Sequence, residues 1–209
     1  MTRALPRAAI ARLIVISGPS GAGKGTLVRC LLKRVPGLVV SVSATTRPKR
    51  RKEVHGRDYF FLSENEFQDW VARGSFLEWA GFSGHLYGTP KQAVEDNLSA
   101  GLDVILEIEI EGARQVLEHS PEALMIFIMP PSVAELERRL RGRKTEDESS
   151  IQTRLARGIE EMAVVEAGVW PGRRQFDYVI VNDSVKRASE ELVRVIERTR
   201  EEDEQAYCR

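Results

Sequence analysis

Gly18-Pro-Ser-Gly21-Ala-Gly23-Lys24-Gly25-Thr26 concentrates residues suited to one kind of chemistry. Glycines at this spacing let backbone N–H groups turn inward as an anion nest, and the helical pattern that follows adds its positive N-terminal end. Lys24 supplies a point charge for β- and γ-phosphates. The stretch reads as a phosphate-binding loop in which Gly18, Pro19, Ser20, Gly21, Ala22, Gly23, Lys24, Gly25 and Thr26 surround a nucleotide donor. The pattern Gly-x-x-x-x-Gly-Lys-Ser/Thr is met through Lys24, but Gly25 follows and the hydroxyl comes one place later, at Thr26. Whether Mg2+ would meet that hydroxyl directly or through water is open. A plain glycine-rich strand-to-helix turn is the competing reading; the apolar run before the loop, the spacing, the lysine and the helix after it all weigh against that.

A second cluster runs Ser43-Ala-Thr-Thr-Arg47-Pro-Lys-Arg50-Arg-Lys-Glu53 and on to Tyr59. Two arginines three apart can fork a dianionic phosphate, and a tyrosine hydroxyl can donate to the same oxygens. Taken alone, Lys49 to Lys52 would equally suit a solvated loop or a nucleic-acid patch. Further along stand Phe76-Leu-Glu78-Trp-Ala, Tyr87-Gly-Thr89-Pro, the acidic alternation Glu107-Ile-Glu109-Ile-Glu111-Gly112, and Glu135-x-x-x-Arg139-x-x-x-Arg143 followed by Arg154. On the helix alone, Glu135 and Arg139 would be read as a surface i,i+4 pair worth about 0.2–0.5 kcal/mol. The acids at 107–111 are read as ligand groups at the C-terminal end of a central strand, against the plainer alternative of solvent-facing positions on an edge strand.

These motifs together resemble guanylate kinase, a nucleoside monophosphate kinase, and the resemblance runs from about Leu13 to Ser184. Gly-Lys-Gly-Thr is similar to that group's variant of the loop. The resemblance implies phosphoryl transfer from ATP to GMP with Mg2+, and GMP binding by Ser43, Arg47, Arg50, Tyr59, Glu78, Tyr87, Thr89 and Glu109. A carboxylate at Glu78 would accept both N1–H and N2–H₂ of guanine, where adenine presents an acceptor. Arg139, Arg143 and Arg154 match the lid and would close over the transferring phosphoryl group, joining Lys24 and Arg47 as catalytic residues. Asn182 matches a position near the ATP base, and Thr26 is the metal candidate. Glu109 and Glu111 stand where the family usually has Asp and Gln, and Lys144 where it usually has Gly; the matching carboxylates serve guanine reading or the Mg2+ network.

The elements that must hold these groups follow from periodicity. Leu13 to Ser17, Leu38 to Val42, Asp103 to Ile108, Leu124 to Met129 and Tyr178 to Val181 are apolar runs of strand length, continuous enough for a parallel sheet covered on both faces. Helices are expected from the loop to about Val35, over 64–72 behind a Ser63/Glu66 capping box, from Pro90 to about Ala100, over 133–141 behind Ser132, over about 149–167, and from Val185 to about Glu204. Ser75 to Ala80 and His85 to Tyr87 read as short strands, Thr45 to Arg57 as a polar connection outside the core, and 170–174 as a loop. The fold class is α/β, a P-loop-containing doubly wound parallel sheet. Its core covers about 12–42, 90–131 and 168–209, with an inserted GMP-binding lobe at about 43–89 and a helical lid at about 132–167.

Composition narrows the rest. In 209 residues, 31 basic and 31 acidic side chains cancel, so no global charge argues for a nucleic-acid partner. Two cysteines, Cys30 and Cys208, are too few for a disulfide scaffold, and Cys30 reads as a small buried residue. The chain starts with a short basic stretch lacking the apolar core of a signal peptide, and no apolar run approaches the roughly 18 residues of a membrane span. A cytoplasmic location is expected. His55, His85 and His119 have no ligand spacing. Two competing functions remain: a kinase of the same fold for another phosphorylated small molecule, against which Glu78 and Ser43 argue, and a phosphopeptide-binding domain without turnover, which would be expected to have lost the loop and the lid arginines.

Overall fold

The computed structural model describes residues 11–82, 84–142, 147–168 and 176–207. In chain order its elements are β1 (Leu13–Ser17), α1 (Lys24–Leu32), β2 (Leu38–Val40), β3 (Ala44–Thr45), β4 (Phe60–Phe61), α2 (Glu64–Ala72), β5 (Phe76–Phe82) and β6 (His85–Pro90). There follow α3 (Lys91–Ser99), β7 (Asp103–Glu107), α4 (Ile110–His119), β8 (Leu124–Met129), α5 (Val133–Arg141), α6 (Glu148–Glu166), β9 (Tyr178–Val181) and α7 (Val185–Tyr207).

Strands β2-β7-β1-β8-β9 form one sheet in that order, every pair parallel. Successive residues point to opposite faces; both faces are covered along the inner strands β7, β1 and β8, which are therefore apolar between their ends without alternation, while edge strand β9 leaves Val179 and Val181 exposed. Ile14, Ile16, Ile105, Ile126 and Ile128 pack on Leu27, Leu31, Leu192 and Ile196 of α1 and α7. On the other face Val15, Val104, Leu106 and Met125 meet Val94, Ala113 and Val116 of α3 and α4. Phe127 and Met129 meet Leu136, Leu140, Leu155 and Met162 of α5 and α6. This is the doubly wound α/β sheet that the sequence predicts, and the C-terminal ends of β1 and β7 open side by side where such sheets place ligands.

A second sheet, β4-β3-β6-β5, is built from residues 44 to 90. It is backed by α2, whose start is fixed as expected: Glu66 N–H donates to Ser63 Oγ at 3.3 Å and Ser63 N–H to Glu66 Oε2 at 2.7 Å. Fully buried Phe67 then stacks on Phe76 with ring centroids 4.5 Å apart.

Two expectations are corrected, on the polar connection and on Cys30. Ala44 and Thr45 are completely buried in β3, because Thr45 pairs with both Phe61 and Tyr87; the connection outside the core starts only after them. The acids at 107–111 follow a central strand, as the sequence reading expects, and not an edge strand. Glu107 ends β7, which lies between β2 and β1, and α4 begins at Ile110 with Glu109 as its N-cap residue. Cys30 is half-buried rather than buried. The 170–174 loop and Cys208 lie outside the described residues.

Candidate active site

The loop between β1 and α1 adopts the turn its glycines permit. Gly18 has φ 140°, and a Cβ there would lie 2.3 Å from the Ile128 carbonyl oxygen of the neighbouring strand. Gly23 has φ 99°, and a Cβ there would lie 2.3 Å from Asn182 Nδ2. Asn182 is buried, and its amide donates to the Ala22 carbonyl at 2.7 Å. Lys24, at the first position of α1, folds back so that Nζ donates to the Gly18 carbonyl and lies 3.6 Å from Glu109 Oε1. The resulting cavity of about 480 Å³ is lined by the loop from Pro19 to Thr26, Ala22 apart, together with Arg29, Ser43, Tyr59, Glu107 and Glu109. Gly23→Ala should lower the melting temperature by roughly 5 °C, since an alanine in left-handed backbone costs ~1–2 kcal/mol, and should weaken ATP binding as the Asn182 amide is displaced. Scanning calorimetry and nucleotide titration would check it; an unchanged melting temperature and ATP affinity would contradict it.

A second cavity, about 300 Å³, adjoins the first and shares Ser43, Tyr59, Glu107 and Glu109 with it. Arg47, Arg50, Glu53, Glu78, Tyr87, Gly112 and Arg157 complete its wall together with Arg154. Arg47 donates to Glu53 Oε1 at 2.8 Å, while Glu53 Oε2 accepts the Arg50 backbone N–H at 2.8 Å, so one carboxylate orders both arginines' positions. The Arg47 guanidinium lies 5.5 Å from the centroid of the Tyr59 ring. Glu78 is buried at the far end, with Thr89 Oγ1 donating to its Oε1 at 2.6 Å. Burial drives its pKa from 4.5 up to about 7, against the Thr89 hydrogen bond. Glu107, also pushed upward by burial, is opposed by the charges of Lys24 and Arg29.

The raised carboxyl at Glu78 has a stability consequence. The folded chain holds this proton more tightly than the unfolded chain, so stability is full below about pH 4.5 and is lost as pH rises through about 7; a shift from 4.5 to about 7 is worth roughly 3 kcal/mol. Without nucleotide the melting temperature should fall between pH 5.5 and 8, and Glu78→Gln should make that fall smaller, the raised carboxyls of Glu107 and Glu161 keeping their share of it. A fall of equal size in the variant would contradict it.

Two of the three arginines matched to a lid are described. Arg154 on α6 reaches the loop, its Nη1 donating to Ser20 Oγ at 3.2 Å, and it lines the second cavity. Arg139 on α5 does not border either of these cavities. Its guanidinium donates to the Ala22 carbonyl at 3.2 Å, the Asn182 carbonyl at 2.8 Å and Glu135 Oε1 at 2.7 Å, so it both makes the i,i+4 pair and braces the loop from behind. Arg143 and Lys144 lie outside the described residues.

A family model, "Guanylate kinase", matches residues 10–199. The chain belongs to the guanylate kinase family. A guanylate kinase of Rubrobacter xylanophilus is 54% identical over 187 residues, covering 90% of this chain and 94% of the relative. One of Prochlorococcus marinus is 51% identical over 185 residues, covering 88% and 94%. The crystal structure of guanylate kinase from Anaplasma phagocytophilum superposes with a TM-score of 0.72 at 31% identity, covering 92% of this chain and 87% of that one.

Within this guanylate kinase chain, the residues named from sequence fall into two groups. Ser43, Arg47, Arg50, Tyr59, Glu78, Tyr87 and Glu109 converge on the second cavity, and the loop from Pro19 to Thr26, Ala22 apart, on the first; Gly18 and Ala22 are buried and border neither. Thr89 and Asn182 do not border these cavities: Thr89 is buried and donates to Glu78, and Asn182 is buried and donates to the Ala22 carbonyl, which Arg139 also meets. Sequence reasoning missed Glu53, Gly112, Arg157 and Glu161. Gly112 makes room for Glu78, since a Cβ there would lie 2.3 Å from Glu78 Oε2; a glycine in the first turn of a helix was the available signal. Glu161 is buried to 3% exposure in a helix of otherwise ordinary charge pattern, and nothing in the sequence marks it.

Proposed function

We propose that this chain transfers the γ-phosphoryl group of ATP to GMP, giving ADP and GDP, in cytoplasmic purine nucleotide metabolism, with dGMP as a further acceptor. One observation carries the reading: a phosphate-binding cavity and a cavity ending in a buried carboxylate meet at Ser43, Tyr59, Glu107 and Glu109, with Lys24 at their junction. A donor's phosphates on the loop and an acceptor's phosphate on Arg47, Arg50 and Tyr59 would face one another there, and the acceptor's base would reach Glu78.

The acceptor phosphate needs no general base, because a monoester has its second pKa near 6 and is already a dianion at neutral pH. The chain instead aligns two polyanions and stabilises charge as it moves, through the loop amides, Lys24 and Arg154. Arg139 acts on this reading by holding the loop's shape, and Arg143 joins the lid. The Thr26 hydroxyl, a hard oxygen donor on the loop cavity wall that accepts from Arg29 Nη2 at 3.1 Å, fits a site completed by nucleotide phosphates and water. It would hold Mg2+, which neutralises phosphate charge when bound with the nucleotide. Residues 43–89 then serve as the acceptor lobe and 132–167 as the lid, both closing to keep water out.

Coupled measurement of ADP formation with GMP, dGMP, AMP, CMP and UMP tests the reading. GMP should exceed AMP by orders of magnitude; equal rates, or turnover with none of them, would overturn it.

A further inference from the structure

Glu161 is a buried carboxyl that no step above employs. It lies on the face of α6 that meets the loop: Arg154 contacts Ser20, a Cβ on Gly158 would stand 3.2 Å from Pro19 Cβ and 2.8 Å from Leu136 Cδ2, and Glu161 follows at i+7 from Arg154. Its surroundings are charged from each side. Arg157, one turn earlier on α6, donates to its Oε1 at 3.2 Å; the Glu109 carboxyl at the head of α4 is within hydrogen-bonding reach; and the Lys24 ammonium of α1 pairs with Glu109 at 3.6 Å.

Each of the two facing carboxyls keeps one oxygen, Glu109 Oε2 and Glu161 Oε2, buried with no donor supplied by the protein. Two ionised carboxylates offer only acceptors, so the contact is attractive only when one of them carries a proton. Glu109 has the ammonium beside it and Glu161 is the more deeply buried, so the proton belongs on Glu161. Burial and the Glu109 charge, opposed by Lys24 and Arg157, hold the Glu161 carboxyl up at about 7.

We propose that Glu161 is a positioning residue for the acceptor site: its protonated carboxyl donates to the Glu109 carboxylate, fixing that side chain between Lys24 and the acceptor cavity and tying α6 over the junction. Above neutral pH the proton leaves, both groups become acceptors, and the tie turns repulsive. Glu109 then loses its fixed orientation and the acceptor is held less well, while the donor's contacts with the loop remain.

The inference rests on GMP as acceptor, and the test separates the two. KM for GMP and for ATP and kcat are measured from pH 6.5 to 8.5 for wild type, Glu161→Gln and Glu161→Ala. Gln presents an N–H₂ donor to Glu109 at every pH, so the ratio of wild-type to Glu161→Gln KM for GMP should rise about threefold or more across this range, with KM for ATP moving little. Taking the ratio cancels the titration of Glu78, common to both proteins. Glu161→Ala, lacking any donor, should raise KM for GMP roughly tenfold at pH 6.5 with kcat within about threefold. A constant ratio, or alanine and glutamine variants equally weakened, would reduce Glu161 to a structural acid and overturn the inference while leaving GMP as acceptor. Failure of wild type to phosphorylate GMP would remove both. If Glu161→Ala does not fold, the Gln ratio decides alone.

Discussion

Lys24→Ala should fold and lose phosphoryl transfer by about 10³-fold in kcat, the scale of removing one preorganised charge from a site where negative charge moves. The side chain contributes nothing to the three apolar clusters that hold the sheet, so its loss leaves the packing of β1 and α1 intact. What it does hold is polar: the Gly18 carbonyl through Nζ, and the carboxylate of Glu109. Removing the ammonium takes away a charge that opposes the upward shifts of Glu107 and Glu161, so the variant should hold those protons to higher pH than wild type. Calorimetry beside the ADP assay checks both halves. Turnover within tenfold of wild type would contradict the assignment of the loop, and a collapsed melting temperature would show that the lysine supports the fold instead.

How much of this was legible in the sequence depends on the range of the interaction concerned. The Ser63/Glu66 box marked the start of α2 because both partners lie within one turn, and the glycines at 18, 21 and 23 marked the loop because positive φ is a local demand. Continuous apolar runs gave away β1, β7 and β8, since burial on both faces leaves no polar position between their ends. Long-range partners were invisible. The two-residue strands β3 and β4 exist through pairing with each other, and β3 also through β6, so Thr45 could not be told from the polar stretch that follows it. Helix α4 starts behind Glu109, a residue type that gives no capping signal, so the end of the strand was legible and the start of the helix was not. Arg139 and Asn182 carry ligand roles through the family resemblance alone, and both meet the Ala22 carbonyl across more than 100 residues of chain. Their type was legible and their partner was not.

Glu78→Gln should weaken GMP strongly and narrow the preference for GMP over AMP. The side chain is buried, held at Oε1 by the Thr89 hydroxyl at 2.6 Å and seated against Gly112, so a glutamine of the same shape fits without repacking. In wild type the ionised carboxylate offers two acceptors to N1–H and N2–H₂ of guanine, each such bond worth roughly 1.5–3 kcal/mol. Glutamine offers one neutral acceptor and one donor, so guanine loses a matched partner while adenine, with an acceptor at N1, gains one. The catalytic efficiency for GMP should fall about 10²-fold, and the GMP-to-AMP ratio by tenfold or more, because the element that rejects adenine has gone. A pH signature accompanies the change. Burial holds the wild-type carboxyl at about 7, and guanine needs it ionised, so ionisation of Glu78 adds a rise in GMP efficiency through that range that the variant lacks, set against the fall that Glu161 contributes to both proteins. The decisive quantity is the ratio of efficiencies for the two nucleotides in both proteins, measured at pH 6 and 8.5. A ratio unchanged by the substitution would place base recognition on other residues of the cavity and leave Glu78 as a buried partner of Thr89.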